Sequence, residues 1–482
     1  MALFTVAELR EVISARVLAG DMAEWTKQPI RHISLDTRTL RRGDLFLAIQ
    51  GDRFDGHDFV AMALSRGAVG AIVIDSYDVT RLSLKRGMRR GVPFILGVRD
   101  PLWSYQQLAA YHRSKFRIPV VAVTGSNGKT TTKEMVASVM AQRCKILKTE
   151  GNLNNRLGVP QTLFRLNNRH QGAVIELGVD NLGQTTSLCE IARPTIGIIT
   201  NIGPDHLEFF GNMDASAQAK AELLDLLPAE GAVILNADDS YYDYLAARAR
   251  CRVVSFGFSE KADVRATNIK SNRRNGTIFH LQLPGKMRPT IVHLRVQGAH
   301  NVMNALAAGA IGAVLGLPGT VIAQGLSRFR PAAMRSQILV SHGVKLIIDC
   351  YNANPASMKA AVELLAQAGE NQRTIAVLGD MLELGSNAAH MHEEVGGVVA
   401  GHGIDRLVAC GILGRSLARG AKQGGLDRAH IVEVADAQAA VDAVKAIVKP
   451  GDVVLIKASR GMRLELVVDA LQGLKRIAKK AS

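Results

Sequence analysis

The chain has 482 residues, a formal net charge of +16 at pH 7 and 47% hydrophobic residues. This length is too great for one ordinary hydrophobic core, so we predict two to four domains. The basic residues are scattered apart from short clusters at 85–90 and 475–480, and no basic stretch is interleaved with aromatic residues. This pattern argues against nucleic acid as a partner and favours small anionic ligands.

The five cysteines are odd in number, lie far apart and form no C-x-x-C pair: Cys144, Cys189, Cys251, Cys350 and Cys410. This spacing predicts reduced thiols in a cytoplasmic protein, and it argues against a disulfide framework or a zinc site. Acidic residues occur too early in the chain for a signal peptide. The longest apolar run, 305–317, is shorter than the ~20 residues of a membrane span, so we predict a buried helix and no span.

Residues 1–100 alternate short strands and helices, which predicts a small α/β domain. The N-terminus indicates a strand followed by a helix, and further strands are predicted at 43–49 and 68–75. An amphipathic helix between those two strands is expected to end at Gly67, and residues 34–44 form a polar connector.

The next predicted domain, 101–327, begins with a helix over 100–116. Strands are predicted at 120–124, 172–178, 195–203 and 231–239, and a more β-rich insert covers 252–296 with turns at 273–276 and 283–285. A third domain, 328–482, has predicted strands at 344–351, 374–380, 406–411 and 452–459. Because helical segments separate these strands, we expect a second doubly wound parallel sheet.

The stretch "TGSNGKT" lies between the strand at 120–124 and a helix. Gly125 and Gly128 permit positive φ, so successive backbone N–H groups can turn toward a phosphate, while Lys129 reaches the β and γ phosphates. The Thr130 hydroxyl is then expected to bind Mg²⁺. The match to a Walker A loop is incomplete because Val123 replaces a glycine, and the competing interpretation is an ordinary strand–turn–helix with a surface lysine.

Three charged residues follow in this domain. Glu176 ends a buried strand, where a carboxylate needs a partner or a cation, so it is a candidate Mg²⁺ ligand or a cap of a neighbouring helix. His206 follows the strand at 195–203, at the edge where open α/β sheets place their chemistry, and it is either a metal ligand or a structural histidine. Lys220 lies on a predicted helix, where the residues alone favour a solvated lysine.

Polar residues also follow later strands and begin one apolar helix. Asn301 and Asn304 share a helix face and suit a base edge, although Asn301 is also a candidate N-cap. The loops at 349–358 and 378–385 break sharply from buried strands, as functional loops do. Lys457, Ser459, Arg460 and Arg463 concentrate donors for carboxylates or phosphates after the last strand.

Together these segments resemble the Mur ligase family of peptidoglycan synthesis over nearly the whole chain. The family pattern is present as "TGSNGKT", and "GNLNNRLGVPQTL", "DCYNANPASM" and "VLGDMLELG" are similar to the member that adds D-alanyl-D-alanine to UDP-N-acetylmuramoyl-tripeptide. The "DNPR" signature of the diaminopimelate- or lysine-adding member does not occur. The segment "DTRTLRRGDLFLAIQGDRFDGHDF" resembles the UDP-binding domain that these two members share.

The resemblance implies an α/β fold of three domains: a small UDP-binding domain, a central P-loop ATPase domain with a parallel sheet, and a C-terminal Rossmann-like domain that binds the incoming dipeptide. It implies ATP and Mg²⁺ as cofactors, UDP-N-acetylmuramoyl-tripeptide and D-alanyl-D-alanine as substrates, and cytoplasmic cell wall synthesis. We also expect a monomer.

The resemblance assigns roles residue by residue. ATP is expected to bind the phosphate loop, Gly125, Ser126, Asn127, Gly128, Lys129, Thr130 and Thr131, together with Asn301, Asn304, Arg335 and Asp349. Lys129, His206, Lys220 and Arg335 are the expected catalytic residues, and Thr130, Glu176, His206 and Lys220 the expected metal ligands. Substrate contacts are expected from Ser34, Asp36, Thr37, Arg38, Asn152, Asn154, Asn155, Tyr351, Asn352, Asn354, Lys457, Ser459 and Arg460.

Lys220 matches a lysine that many members carry as a carbamate, which reverses the interpretation from its helix alone. The sequence also departs from the family: Gln184 and Arg156 replace residues that are often acidic, and Asp205 precedes His206 where a small residue is common. Two alternatives stay open. One is a related ligase with another amino substrate, including a folylpolyglutamate-synthase-like enzyme, and the other is a nucleotide-dependent binding or regulatory protein without ligase activity.

Overall fold

A computed structural model of the chain describes residues 2–51, 54–82, 93–272 and 276–473. The basic clusters at 85–90 and 475–480, and residues 273–275 of one predicted turn, lie outside the described residues. The described part is an α/β protein. The family of strands is β1 (Phe4–Thr5), β2 (Arg16–Ala19), β3 (Pro29–Ile30), β4 (Ile33–Ser34), β5 (Leu45–Leu47), β6 (Gly70–Ile74), β7 (Phe94–Val98), β8 (Val120–Thr124), β9 (Ile146–Lys148), β10 (Gly172–Glu176), β11 (Ile196–Ile199), β12 (Ala232–Asn236), β13 (Arg252–Gly257), β14 (Val264–Asn272), β15 (Gly276–Gln282), β16 (Thr290–Leu294), β17 (Gln337–Ser341), β18 (Val344–Ile348), β19 (Thr374–Gly379), β20 (Arg406–Cys410), β21 (Ile431–Val434) and β22 (Val453–Lys457).

The α-helices are α1 (Val6–Ile13), α2 (Met22–Trp25), α3 (Val60–Ser65), α4 (Pro101–Ser114), α5 (Lys129–Met140), α6 (Gly158–Leu163), α7 (Gln184–Ala192), α8 (Leu207–Phe210), α9 (Met213–Asp225), α10 (Tyr242–Arg248), α11 (Ala299–Val314), α12 (Gly319–Arg328), α13 (Pro355–Ala368), α14 (Ala388–Gly401), α15 (Gly414–Gln423), α16 (Ala437–Ile447) and α17 (Glu465–Gly473). Short 3-10 helices cover Gly56–Phe59, Val79–Arg81, Gly385–Asn387, Arg428–His430 and Arg460–Met462. In the described ranges, no helix combines the length and the apolar character that crossing a membrane requires.

The chain divides into two compact units. The first contains Met1–Ala122, Lys145–Leu177 and Thr186–Thr195, and the second contains Val123–Cys144, Gly178–Thr185 and Ile196–Ser482. β8 and α7 have residues in both.

In the first unit, five strands form a sheet in the order β2-β7-β6-β5-β4, in which β4 to β7 are parallel and β2 is antiparallel to β7. β9 and β10 form a parallel pair. The N-terminal strand and helix are confirmed. Thr5 is the N-cap of α1. Its side chain accepts from the Glu8 N–H, and the Glu8 carboxylate accepts from the Thr5 N–H, so the two residues form a capping box at the first turn.

In the second unit, β11 to β14 are parallel neighbours and β14, β15 and β16 continue as an antiparallel meander. The predicted β-rich insert is therefore confirmed. Most of the apolar run at 305–317 lies in α11, which ends at Val314, and residues 305–312 are buried, as predicted. α11 packs against α5, which places the helix of the phosphate loop against a buried partner.

The second unit holds a further sheet in the order β17-β18-β22-β19-β20-β21. The five strands from β18 to β21 are parallel, as predicted, but β17 is antiparallel to β18 at the edge. Neighbouring residues of one strand, such as Val454 and Leu455, belong to separate hydrophobic clusters on the two faces. Because this sheet is buried on both faces, we look for a ligand site at the carboxyl ends of the strands, where the loops at 349–358, 380–384 and 458–463 begin.

Candidate active site

The phosphate loop joins β8 to α5 with two glycines at positive φ. Gly125 has φ 130° and Gly128 has φ 80°, and a Cβ at Gly128 would lie 2.3 Å from Asn304 Oδ1. Lys129 is the first residue of α5, and its Nζ donates to the carbonyls of Gly125 at 2.5 Å and Ser126 at 3.2 Å. The lysine thus lies over the loop whose amides and helix dipole attract anions. Thr130 is buried and Thr131 half-buried on the same turn.

The segment after β11 holds the phosphate loop in place. The Asn127 N–H donates to Asn201 Oδ1 at 2.9 Å, and the Thr200 hydroxyl donates to the Asn127 carbonyl at 2.6 Å. The Gly203 N–H donates to the Ser126 hydroxyl at 2.8 Å. These bonds fix the backbone of the loop from one side. The sequence reasoning named neither Thr200 nor Asn201, although both lie at the predicted end of a strand.

Asp205 connects the phosphate loop to Lys220. Its Oδ1 accepts from the Ser126 hydroxyl at 2.6 Å and lies 3.2 Å from Lys220 Nζ, which also donates to the Ser216 hydroxyl at 2.7 Å. Lys220 is 1% exposed, so the expectation of a solvated lysine from the helix alone is wrong. Asp205 Oδ2 is buried and has no hydrogen-bond partner among the described residues. A buried carboxylate oxygen of this kind suits a cation.

The charges of this cluster act on one another. Burial raises the pKa of Asp205. Lys220 and Lys129, together with the Ser126 hydroxyl and His206, lower this pKa by a larger amount, so the pKa of Asp205 lies below its usual value. Burial lowers the pKa of Lys220 to about 8, and Lys129 also lowers it, while Asp205 opposes both. Lys129, Lys220 and His206 therefore converge electrostatically on one carboxylate.

The His206 side chain contacts Glu383, which lies in the loop after β19. Its Nδ1 lies 2.5 Å from Glu383 Oε2, and the Glu208 N–H donates to the Glu383 carbonyl at 3.2 Å. Another side-chain hydrogen bond, from Asn354 Nδ2 to Asn127 Oδ1 at 2.8 Å, joins the loop after β18 to the phosphate loop. Asn354 also begins α13 as its N-cap. Glu383 lies in a loop that the sequence marked as functional, but the residue itself was missed because a glutamate in a polar turn carries no distinctive pattern.

Asn301 and Asn304 are both buried near the start of α11. The N-cap is Gly298, so the interpretation of Asn301 as an N-cap is wrong. Asn301 Nδ2 donates to the Gln297 carbonyl at 2.7 Å, and Asn304 Oδ1 accepts from the Thr132 hydroxyl at 3.2 Å. Asn304 thus contacts the helix that carries the phosphate loop. Adenine contacts of the two asparagines stay a prediction.

The carboxyl ends of β18 and β22 hold a cluster of predicted binding residues. Lys457 is buried, and its Nζ lies 2.6 Å from Asp349 Oδ2 and 2.9 Å from the Asn352 carbonyl. The Arg335 guanidinium lies over the Tyr351 ring at 4.2 Å. Lys457 is therefore occupied by an ion pair in the protein itself, and Tyr351 provides an aromatic platform for a cation.

Loops after β19 and β22 are tied together next to this cluster. The Leu382 N–H donates to the Ser459 hydroxyl at 3.0 Å, and the Ser459 N–H donates to the Asp380 carbonyl at 3.1 Å. Arg460 contacts Met334 through Nη1 and Sδ at 2.8 Å. Substrate contacts of Ser459 and Arg460 remain predictions, but both lie where open α/β sheets bind ligands.

Glu176 and the asparagine-rich loop belong to the first unit. Glu176 is 2% exposed, its Oε1 accepts from Asn154 Nδ2 at 2.9 Å, and its N–H donates to the Thr149 hydroxyl at 3.0 Å. Asn155 Oδ1 accepts from the N–H groups of Leu157 and Gly158 at the start of α6, while Asn152 is exposed. The structure thus brings Asn154 to the predicted metal ligand Glu176.

The predicted uridine diphosphate contacts follow β4 in the first unit. Ser34 and Thr37 are buried, and the Ser34 hydroxyl donates to the Asp36 carbonyl at 3.0 Å. Arg38 pairs with Asp36 at 2.8 Å and keeps an exposed guanidinium, and this pairing holds the pKa of Asp36 below its usual value. Among the residues that the structure describes, no group of three or more His, Cys, Asp or Glu side chains forms a ready metal centre.

Three models of Mur ligase domains match successive parts of the chain. Residues 29–109 match the Mur ligase family catalytic domain, 123–312 the Mur ligase middle domain, and 334–460 the Mur ligase glutamate ligase domain. The chain is 35% identical to UDP-N-acetylmuramoyl-tripeptide–D-alanyl-D-alanine ligase of Bacillus subtilis, over 97% of this chain and 98% of the relative. It is 38% identical to the ligase of the same name from Synechocystis, over 92% of each.

Solved structures give the same result. The crystal structure of MurF from Acinetobacter baumannii aligns with a TM-score of 0.87 and 31% identity, over 97% of this chain and 98% of that chain. MurF of Thermotoga maritima in complex with ADP aligns with a TM-score of 0.80 and 26% identity, over 93% and 98%. The predicted α/β architecture is confirmed, and the chain belongs to the Mur ligase family.

Proposed function

We propose that the chain is an ATP-dependent ligase that joins D-alanyl-D-alanine to UDP-N-acetylmuramoyl-tripeptide during peptidoglycan precursor synthesis. The observation that carries this proposal is the phosphate loop linked through Asp205 to the buried Lys220, in a chain whose relatives bear that ligase's name over nearly their full length. ATP as the nucleotide is supported by the loop and by the MurF neighbour with ADP.

The reaction we propose begins with the terminal carboxylate of the tripeptide. One of its oxygens attacks the γ-phosphorus of ATP, the bond to the bridging oxygen breaks, and ADP leaves. The dipeptide amine then attacks the acyl carbon, loses a proton, and phosphate departs with the former carboxylate oxygen. Two anions must approach in the first step, and the cations Lys129 and Arg335 offset that repulsion.

The residues present fit a divalent cation. Asp205 Oδ2, which has no hydrogen-bond partner in the part of the chain that the structure describes, is an oxygen ligand of the type that Mg²⁺ prefers. His206 is the next residue in the chain, and Asp205 Oδ1 is bonded to Ser126 of the phosphate loop. We propose that Thr130, His206 and a carbamylated Lys220 help to hold Mg²⁺, which would neutralise phosphate charge when bound. Glu176, in the first unit, stays a predicted Mg²⁺ ligand. The lowered pKa of Lys220 makes the neutral amine that carbamate formation requires more accessible.

The ligands of the incoming dipeptide and of the uridine diphosphate are part of the same proposal. We propose that Arg460 and Ser459 face the dipeptide, and that Ser34 to Arg38 lie beside the uridine diphosphate. We also propose a cytoplasmic monomer, with domains at 1–100, 101–327 and 328–482. The five cysteines, all free, support a reducing compartment.

A substrate panel tests the proposal. Purified protein is incubated with ATP, Mg²⁺ and UDP-N-acetylmuramoyl-tripeptide, and ADP release is measured with D-alanyl-D-alanine, meso-diaminopimelate, L-lysine or glutamate. We expect product with D-alanyl-D-alanine only. Product with another amine favours the related ligases, and ATP binding without any product favours a nucleotide-dependent regulatory protein.

A further inference from the structure

The side chain of His206 is held by the carboxylate of Glu383, a residue of the segment "VLGDMLELG" to which the sequence assigned no role. His206 Nδ1 lies 2.5 Å from Glu383 Oε2. An ionised carboxylate only accepts hydrogen bonds, so the proton of this bond belongs to Nδ1. In the neutral ring, the other nitrogen, Nε2, then keeps its lone pair for a different partner.

Both residues adopt a backbone conformation that is unfavourable for side chains. His206 has φ 50° and Glu383 has φ 64°, each in the left-handed region. Strained residues of this kind persist where the surrounding structure fixes them, and they cluster at functional sites. Here a second bond, from the Glu208 N–H to the Glu383 carbonyl, fixes the pair. The backbone of Gly385 packs close to the same segment, because a Cβ added at Gly385 would lie 3.5 Å from Glu208 Cα.

The two residues come from different sheets. His206 follows β11, whereas Glu383 follows β19. A separate contact, Asn354 to Asn127, joins the start of α13 to the phosphate loop. Two independent polar contacts therefore connect the loops after β18 and β19 to the site that carries Lys129 and Lys220.

We propose that Glu383 is a positioning residue that holds the His206 ring in the Nδ1–H tautomer, with Nε2 left free to bind the divalent cation. Metal-binding histidines are oriented in this way by a carboxylate on the other ring nitrogen. The proposal rests on the proposed function, because the cation is the Mg²⁺ of that reaction. It also makes the cation site depend on the loop after β19, to which the sequence motifs gave no specific role.

The tautomer is measured directly in metal-free protein labelled with ¹⁵N-histidine, at a pH where the ring is neutral. His206→Asn assigns the ring signals. We expect the wild type to show a protonated Nδ1 and an unprotonated Nε2. In Glu383→Ala this preference is lost, whereas Glu383→Gln retains it because the amide oxygen still accepts from Nδ1–H. Glu208→Gln, which removes a neighbouring exposed carboxylate, serves as the matched control and keeps the wild-type signals.

Binding of Mn²⁺ alone is the second readout, and it is measured as the loss of the EPR signal of unbound Mn²⁺. We expect Glu383→Ala to weaken Mn²⁺ binding roughly 10-fold or more, and Glu208→Gln to leave it unchanged. A wild-type ring protonated on Nε2 overturns the proposal without any variant, so a poorly folded alanine variant does not block the test. Equal Mn²⁺ affinity in wild type and a folded Glu383→Ala also overturns it. Neither readout uses substrates, so a failed ligase assay is distinguishable from a failure here.

Discussion

Lys220 Nζ lies 3.2 Å from Asp205 Oδ1, and the two side chains are 1% and 5% exposed. The same carboxylate oxygen accepts from the Ser126 hydroxyl of the phosphate loop. A buried lysine on α9 is thereby joined to the loop through one aspartate. Removing either charge leaves the other buried without compensation.

In protein whose Lys220 is not carbamylated, Asp205→Ala is expected to destabilise the fold by about 3–5 kcal/mol, because it leaves the Lys220 ammonium buried without its carboxylate partner. Urea unfolding measures this change. Asp225→Asn is the matched control, since Asp225 pairs with Arg248 near the surface, where an ion pair contributes about 0–1 kcal/mol. Equal losses in the two variants would show that the Asp205–Lys220 pair has no special role in the fold.

Lys129→Ala is expected to abolish ATP-dependent ligation while the protein stays folded. The lysine is half-buried over the phosphate loop, and its loss removes the charge that offsets the approach of two anions. The measurement is ADP release with all substrates, alongside a thermal melt. Lys359→Ala, which removes one partner of an exposed pair with Glu394, should retain wild-type activity. Undiminished ligation by Lys129→Ala would refute the assignment of the nucleotide site.

Gly128→Ala tests the close approach of α11 to the phosphate loop. The new Cβ would lie 2.3 Å from Asn304 Oδ1, in addition to the cost of a residue at φ 80°. Gly183 has the same φ of 80° and no atom within 4 Å of an added Cβ. Gly183→Ala should therefore lower the free energy of unfolding only by the about 1–2 kcal/mol that a left-handed backbone costs a non-glycine residue. Gly128→Ala should lower it by more, because the contact with Asn304 is added. Unfolding free energies and the KM for ATP of both variants give the comparison, and equal free energies would contradict the contact.

Protonation of His392 is expected to destabilise the loop that carries Glu383. His392 is fully buried, its Nδ1 bonds the Ala388 carbonyl, and its Nε2 accepts from the Met381 N–H, so the fold requires the neutral ring. Burial lowers the pKa of His392, while the Ala388 carbonyl and Asp380 oppose this effect. Because the folded pKa lies below the ordinary 6.5, stability is complete above pH 6.5 and falls as the pH drops below it.

Unfolding free energies between about pH 7.5 and pH 5 measure this effect. His392→Gln should lose part of the pH dependence, whereas His390→Gln, which changes a ring that is 76% exposed, should keep it. Identical pH profiles for wild type and His392→Gln would contradict the prediction.

The sequence predicted most of the parallel strands, since β8, β10, β11, β12 and the strands at 344–348 and 453–457 are mainly apolar runs. It did not predict β7, although this strand is fully buried, or β17, whose side chains alternate between half-buried and exposed positions, or the short β9 and β21. An edge strand such as β17 depends on its neighbour for hydrogen bonds, which residue periodicity does not show.

The candidate site shows the same division. The phosphate loop has a local pattern, so Gly125 to Thr130 were accessible from sequence. Burial of Lys220 was not, because α9 alone does not show what covers it; only the family resemblance suggested a role. Glu383 contributes through a contact 177 residues away in the chain, which local pattern cannot reveal. Asp205 was noticed only as a departure from the family, and its bonds to Ser126 and Lys220 give that departure a physical role.

The central claim is that the tripeptide carboxylate is phosphorylated before the amine attacks. The most direct test supplies UDP-N-acetylmuramoyl-tripeptide labelled with ¹⁸O in its terminal carboxylate, together with ATP, Mg²⁺ and D-alanyl-D-alanine, and analyses the released phosphate by mass spectrometry. We predict that one ¹⁸O atom is transferred to each phosphate as the amide forms. Unlabelled phosphate, or no amide product from the folded wild-type protein, would contradict the account.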